Sequence, residues 1–214
     1  MIRVMLVLFI GLLFSGCSKE AEVQLSERTL YQDGMELALK GDYKSAQQHF
    51  QQALDINPLY WPAEGSVRIT NRVLTGQMPT QAALHMFRGI EYGNNKDDDN
   101  KILEMNEAIS LSPDCALAYN ERGVAYFKKN MLIQAIADRN HAIMLEPTYA
   151  APYYNKAVAC EQAGRMWEAV DAYKGFIRNA PPYYEMHIDY ARERIIEITQ
   201  ELTGVKDLQE AVQL

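Results

Sequence analysis

The sequence predicts an all-α protein built from repeated pairs of helices. Three prolines, Pro113, Pro147 and Pro181, follow one another at intervals of 34 residues, and each closes a similar segment. Small residues recur at one shared place ahead of these prolines, namely Gly89, Gly123 and Ala157, and Gly34 stands at the same place ahead of Pro58. A unit of this length holds two helices of about 13 residues and two turns. A fixed period combined with fixed small residues is typical of stacked helical hairpins.

Each recurring residue type has a role in the predicted repeat. The glycine in the first helix lets two backbones approach closely, and alanines such as Ala46 and Ala135 do the same from the second helix. The proline ends the second helix because it cannot continue the helical hydrogen bonds. A fourth copy of the ending lies upstream, at residues 52–58. The positions therefore predict four repeats, at residues 27–60, 82–115, 116–149 and 150–183.

These residues resemble the tetratricopeptide repeat, in which aromatic residues, glycine, alanine and proline stand at set positions within 34 residues. The resemblance covers most of the chain. It implies a right-handed α-α superhelix, the tetratricopeptide solenoid, whose first helices line a concave groove. It also implies a protein that binds a peptide or a partner helix in this groove, and not an enzyme. No cofactor is expected.

One segment does not fit the period. Residues 61–81 are an insertion, and Ala63–Leu74 is predicted to form one extra helix ended by Gly76 and Pro79. A single helix between helix pairs should bend or interrupt the solenoid at this point.

A capping helix is predicted after the fourth repeat, at residues 183–203. Apolar residues recur there at steps of three and four, with charged residues on the other face. One buried and one charged face suit the end of a solenoid. Gly204 is a suitable stop and begins a C-terminal tail at residues 204–214.

Two residues depart from the repeat pattern. Lys101 stands where the second repeat should have a small alanine, and Arg139 where the third should have an aromatic residue. Both would weaken local packing unless their stems follow the surface and their charged ends reach water.

The N-terminal segment has the pattern of a bacterial lipoprotein signal. Arg3 is its only charge, and residues 4–14 form an apolar run apart from Gly11. A run of about 11 residues is too short to span a bilayer, which takes roughly 17 to 25, but suits the core of a signal peptide. The residues that follow, 13–17, read LFSGC and resemble the lipobox, with phenylalanine where leucine is usual. The resemblance implies removal of residues 1–16.

After this cleavage Cys17 would be the first residue and would carry two or more acyl chains, such as palmitate, which suffice for stable membrane anchoring. Ser18 follows the cysteine. In sorting of the enterobacterial kind this implies the outer membrane, with the protein facing the periplasm; in a Gram-positive host the anchor would lie outside the only membrane. Residues 17–26 would form a polar tether. An uncleaved anchor and a plain secreted protein stay open as alternatives.

Composition and charge exclude several classes of protein. With 48% hydrophobic and 23% charged residues the chain is globular in composition, unlike disordered, collagenous or multi-span membrane chains. Its formal net charge of -7 argues against a nucleic-acid partner, which requires a basic face. Besides Cys17 there are two cysteines, Cys115 and Cys160. Their predicted helices are offset by about 16 Å, so we expect two unpaired structural thiols.

Residues that could carry chemistry give only weak patterns. The four histidines, which lie far apart without the spacing of a metal site, are His49, His85, His141 and His187. Residues 95–100, which include three aspartates, lack the central glycine of a calcium loop. The aspartates are better interpreted as residues that cap the following helix. Cys115 with His141 is the one conceivable nucleophile and base, but no third group orients them. We therefore expect no catalytic residue and no metal.

The binding surface is predicted from first-helix positions at steps of four and three. The groove residues expected to contact a partner are Tyr31, Met35, Met86, Ile90, Asn120, Val124, Phe127, Tyr154 and Val158. A lining rich in methionine and aromatic side chains suits an apolar or amphipathic segment. Some of these side chains must also pack between repeats. The leading hypothesis is a lipid-anchored scaffold that assists assembly of an envelope complex, as pilotin-like lipoproteins do. The alternative is an adaptor that recruits or regulates a cell-wall enzyme.

Overall fold

The computed structural model describes residues 26–204. The predicted signal segment, Cys17, the tether up to residue 25 and the tail beyond residue 204 lie outside the described residues. The described chain forms ten α-helices and a short 3₁₀ turn at Pro182–Tyr184: α1 (Glu27–Leu39), α2 (Tyr43–Ile56), α3 (Trp61–Leu74), α4 (Thr80–Asn94), α5 (Asp98–Leu111), α6 (Ala116–Lys128), α7 (Leu132–Leu145), α8 (Ala150–Gln162), α9 (Met166–Asn179) and α10 (Glu185–Thr203). None of these helices has the length and apolar character needed to cross a membrane.

Local sequence explains where the helices begin and end. The side chains of Ser26, Asp42 and Asp97 cap α1, α2 and α5 by accepting a hydrogen bond from a backbone N–H three residues on, at 3.1 Å in each case. The turn inside each helix pair needs one residue with positive φ, and Gly41, Lys96, Asn130 and Gly164 supply it. Gly204, with φ 69°, closes α10.

Four helix pairs form the predicted repeats: α1 with α2, α4 with α5, α6 with α7, and α8 with α9. The small residue in the first helix allows close packing, since a Cβ on Gly34 would lie 2.6 Å from Cε1 of Phe50 on α2. α5 packs against α6 and α7 against α8, so successive pairs stack, and α10 packs against α9 as a terminal cap. The prediction of an all-α tetratricopeptide solenoid with a C-terminal capping helix is confirmed.

The helix α3 interrupts this regular stacking. It begins at Trp61, two residues before the predicted start, and packs along α2 in the place that the first helix of the next repeat takes elsewhere. In order, α1, α2, α3 and α4 each contact the next, and α4 contacts α1 again. The rings of Phe50 and Phe87 stack at 5.9 Å, joining α2 to α4. The first repeat and α3 therefore form one packed unit with the second repeat.

The charged ends of Lys101 and Arg139 are buried and do not reach water. Lys101 is 5% exposed, and its Nζ lies 2.6 Å from Oε2 of Glu121 on α6. Its stem passes over Gly93, where a Cβ would lie 2.7 Å from Cδ of the lysine. Arg139 is 2% exposed, and its guanidinium carbon lies 5.5 Å from the centre of the Phe127 ring. The reason is that both long stems cross the space between helices that a standard repeat fills with apolar side chains.

Candidate functional site

The nine predicted groove residues separate into two groups in the structure. Tyr31, Met35, Met86 and Asn120 are buried, Met86 completely. The sulfur of Met86 lies 3.8 Å from Sγ of Cys115, so its side chain packs between helices. The other five are half-buried, namely Ile90, Val124, Phe127, Tyr154 and Val158. Only the second group has surface to offer a partner in this conformation.

A cavity of about 230 Å³ lies between α3 and the first helices of the repeats. Its apolar and aromatic walls come from α1, α3, α4 and α6 and include three of the predicted groove positions: Tyr31, Ile90 and Asn120. The wall opposite them is α3, where Gly65 lies beside the Leu117 side chain. The inserted helix therefore covers part of the concave surface that an uninterrupted solenoid would leave open.

Charged groups of both signs also line this cavity. Lys101 and Glu121 form the buried pair described above, and Glu64 and Lys128 complete the set. Glu64 accepts a hydrogen bond of 2.6 Å from the hydroxyl of Tyr184, and Lys128 lies 3.6 Å from Asp98. The cavity thus has two lysines and two glutamates, which balance formally and favour neither a strongly anionic nor a strongly cationic ligand.

The face of α3 that carries its charged residues contacts three later parts of the chain. Glu64, Arg68 and Arg72, spaced four residues apart, contact Tyr184, Glu146 and Asp114 in turn. The Arg72 pair measures 2.8 Å. These contacts lie at the starts of α6 and α8 and just before α10, so α3 runs along the starts of successive repeats. Sequence reasoning missed this role, although the four-residue spacing of charged residues opposite the buried face was a signal for a second contact surface.

Trp61, at the start of α3, joins an aromatic cluster at the C-terminal end. Its ring lies 6.3 Å from Tyr154, 5.3 Å from Tyr184 and 5.1 Å from His187. Tyr154 also contacts Tyr190 on α10 at 6.3 Å. Tyr154, one of the two predicted groove positions on α8, is therefore covered from one side by α3 and from the other by α10.

The geometry does not support catalysis by Cys115 and His141. Cys115 is 1% exposed, and burial raises the pKa of its thiol, the opposite of what an activated nucleophile requires. The ring of His141 packs on Tyr119 at 4.1 Å. Both Cys115 and Cys160 are buried free thiols.

The remaining histidines and acidic residues have structural contacts. His49 bonds the carbonyl of Ser45 at 2.9 Å, and His85 pairs with Glu104 at 2.7 Å. Asp97 caps α5, and Asp98 and Asp99 lie in its first turn, so the capping interpretation is confirmed. Within residues 26–204 no group of three or more histidine, cysteine, aspartate and glutamate side chains is arranged to hold a metal.

Comparison with known proteins gives the same fold. A tetratricopeptide repeat family model matches residues 27–58. No curated protein matches the sequence significantly. The crystal structure of MamA is 21% identical, with a TM-score of 0.55, over 84% of this chain and 89% of its own. The TPR2AB domain of yeast Sti1, in complex with pHSP90, is 21% identical, with a TM-score of 0.52, over 79% of this chain and 69% of its own.

A third structure, the first TPR of Spaghetti (RPAP3) bound to the HSP90 peptide SRMEEVD, is 22% identical, with a TM-score of 0.52, over 58% of this chain and 98% of its own. At these identities the similarities show the fold alone, and no enzyme family is indicated. The helix pairs, their small residues and these comparisons together make the described chain a tetratricopeptide-repeat solenoid, the fold typical of scaffolds for protein–protein interaction.

Proposed function

We propose that the protein is a lipid-anchored scaffold of the bacterial envelope that holds a segment of a partner protein against its concave surface. The observation that carries this proposal is the cavity between α3 and the first helices, with half-buried Ile90 at its edge. RPAP3 and Sti1, which share the fold, have structures in complex with chaperone ligands. These complexes support peptide binding as a use of this fold.

The size of the cavity limits what the partner presents. Small-molecule sites are typically about 300 to 1,000 Å³. A volume of about 230 Å³ is below that range and suits one or two apolar side chains. Since α3 covers part of the groove, the partner would insert an anchor residue beside Ile90 and lay the rest of its segment along Val124 and Val158. An amphipathic helix with one large apolar residue satisfies this description.

The anchor at Cys17 places this binding surface at the membrane, on the periplasmic side of an outer membrane in a Gram-negative host. In that position a scaffold can assist assembly of an envelope complex by holding one subunit near the lipid, as pilotin-like lipoproteins do. The alternative is an adaptor that recruits or regulates a cell-wall enzyme through the same surface. The two differ only in the identity of the partner.

Site-specific photocrosslinking in intact cells tests the proposal. A photoreactive amino acid at Ile90 should crosslink a defined partner, whereas the same group at Ile133, which is 79% exposed on α7, should not. Ile90→Glu, checked by circular dichroism for an unchanged fold, should abolish the partner's co-purification. A structural subunit of an envelope machine among the crosslinked proteins supports assembly, and a hydrolase or synthase supports the adaptor. Equal crosslinking from both positions would refute the groove.

The anchor has a separate test. Wild-type protein should incorporate a labelled fatty acid and sediment with membranes, and Cys17→Ala should lose both properties. Incorporation that persists in the variant would contradict the assignment of Cys17.

A further inference from the structure

The first turns of α10 expose an apolar face. Met186 is 81% exposed and Tyr190 44%, and their four-residue spacing places them on one side of α10. Tyr183, in the 3₁₀ turn that precedes the helix, is 50% exposed. The opposite side of α10 is buried, with Ile195 and Ile198 at 1% and 0% exposure. Tyr190 packs in part on Tyr154 and Tyr173, whereas Met186 keeps most of its surface free of the other residues in 26–204.

This face lies at the end of the molecule where α1 begins. Trp61 contacts Tyr184 and His187, which are neighbours of the exposed residues in the sequence. Tyr60, next to Trp61, lies 5.5 Å from Tyr31, in the second turn of α1. Leu59, in the same α2–α3 turn, is 37% exposed. The start of α1, the α2–α3 turn and the start of α10 are therefore close together.

The chain outside the described residues indicates what this surface meets. Eight residues, 18–25, separate Cys17 from Ser26, the cap of α1. Fully extended, they span at most about 30 Å. If Cys17 is acylated, the start of α1 cannot move farther than this from the lipid headgroups, and the exposed face of α10 is kept at the same end.

We propose that the anchored protein rests on the lipid bilayer through a membrane-facing patch formed by Leu59, Tyr183, Met186 and Tyr190. This inference rests on the proposed anchor at Cys17. Tyrosine favours the membrane interface because its ring is apolar and its hydroxyl reaches water. The patch orients the solenoid, so that the repeats project away from the bilayer and the concave surface is open to a partner.

The electrostatics of the patch define the kind of contact. Glu185 and Asp189 flank it and are exposed, so attraction to anionic lipid is not its basis. Contact between the patch and the bilayer is apolar and weak by itself. The covalent lipid makes it effective because it holds the patch at a high local concentration near the membrane. Membrane contact of the patch is accordingly insensitive to salt.

Spin labelling of the lipidated full-length protein in vesicles of phosphatidylethanolamine and phosphatidylglycerol tests this inference. The label is attached at Met186→Cys and, as the matched control, at Ile133→Cys on α7, a full length of α6 away from the starts of the repeats. Cys115 and Cys160 are buried and do not compete for the label. Collision with oxygen, which partitions into lipid, is compared with collision with a water-soluble nickel chelate.

Relative to the soluble Cys17→Ala protein, nickel collision at position 186 should fall by about threefold or more in vesicles, with a rise in oxygen collision, and position 133 should not change. Unchanged nickel access at 186 in a protein that carries its fatty acid overturns the patch and leaves the proposed scaffold intact. Shielding at 186 in the soluble protein without vesicles also overturns it, since a second copy or the chain's own residues 18–25 would then cover the face. Absence of acylation on Cys17 defeats both this inference and the anchor.

Discussion

Replacing the buried Arg139 by methionine should make the protein more stable. The arginine is 2% exposed, and within the described residues its Nε and Nη1 are buried without a hydrogen-bond partner. Burial lowers the pKa of its guanidinium to about 10. A buried charge without a partner costs stability, and apolar replacements of similar volume are often neutral or stabilising. Methionine keeps the unbranched stem and removes the charge.

The magnitude follows from the contacts. Each unpartnered buried donor costs about 1–3 kcal/mol, so two cost about 2–6 kcal/mol. The cation–π contact with the Phe127 ring, at 5.5 Å, offsets this cost by about 1–2 kcal/mol. The net cost is thus about 0–5 kcal/mol. Arg139→Met should raise the free energy of unfolding by about 1–4 kcal/mol, the range typical of apolar replacements of buried charges. The pKa of about 10, well below the usual value for an arginine, agrees in direction with this cost of burial.

The sign of the pH dependence is also determined. The unfolded chain holds the proton of the Arg139 guanidinium more tightly than the folded protein does. The cost of burying this charge is therefore fully present at neutral pH. The penalty eases as the pH rises above about 10, the pKa of the group in the folded protein. Below about pH 9 the advantage of Arg139→Met should be constant.

Urea unfolding followed by far-ultraviolet circular dichroism, in a soluble Cys17→Ala background, measures the effect. Arg122→Met is the matched control, because Arg122 donates two hydrogen bonds to Asp138, at 2.9 and 2.7 Å, and its loss leaves a buried carboxylate. The control should lower the unfolding midpoint while Arg139→Met raises it. A lowered midpoint for both variants would refute the reasoning, since it would mean that the guanidinium of Arg139 is satisfied in solution.

Three further predictions concern packing and burial. Glu121→Gln leaves the Lys101 ammonium buried without its carboxylate and should lower the free energy of unfolding in urea by about 3–5 kcal/mol. Adding Lys101→Met should recover most of this loss, and equal stability of the single and double variants would contradict a buried ion pair. Gly34→Ala should cost about 1–3 kcal/mol in the same assay, because its Cβ would lie 2.6 Å from the Phe50 ring, and an unchanged midpoint would show that the ring moves freely. The two buried cysteine thiols should react with a disulfide reagent only after denaturation, since burial raises the pKa of both, and rapid reaction of the native protein would contradict their burial.

The candidate site was predictable only in part. Ile90 and Asn120 line the cavity because first-helix positions at steps of four face the concave side, which repeat geometry alone indicates. Glu64 and Gly65 on the opposite wall belong to the insertion, which has no equivalent in the other repeats. Lys101 reaches the cavity from a second helix because Gly93 leaves its stem room, a relation between two helices that no single-helix pattern contains.

The sequence by itself determined the repeat, the helix pairs and the capping helix. In a solenoid each unit contacts mainly its neighbours, so a period of 34 residues with small residues at fixed places specifies most of the packing. Tertiary structure alone decided where α3 lies. Its contacts join Arg68 to Glu146, 78 residues away, and Glu64 to Tyr184, 120 residues away. Contacts at such separations leave no local period, because they depend on how the whole stack curves and on which surface it leaves free for the inserted helix.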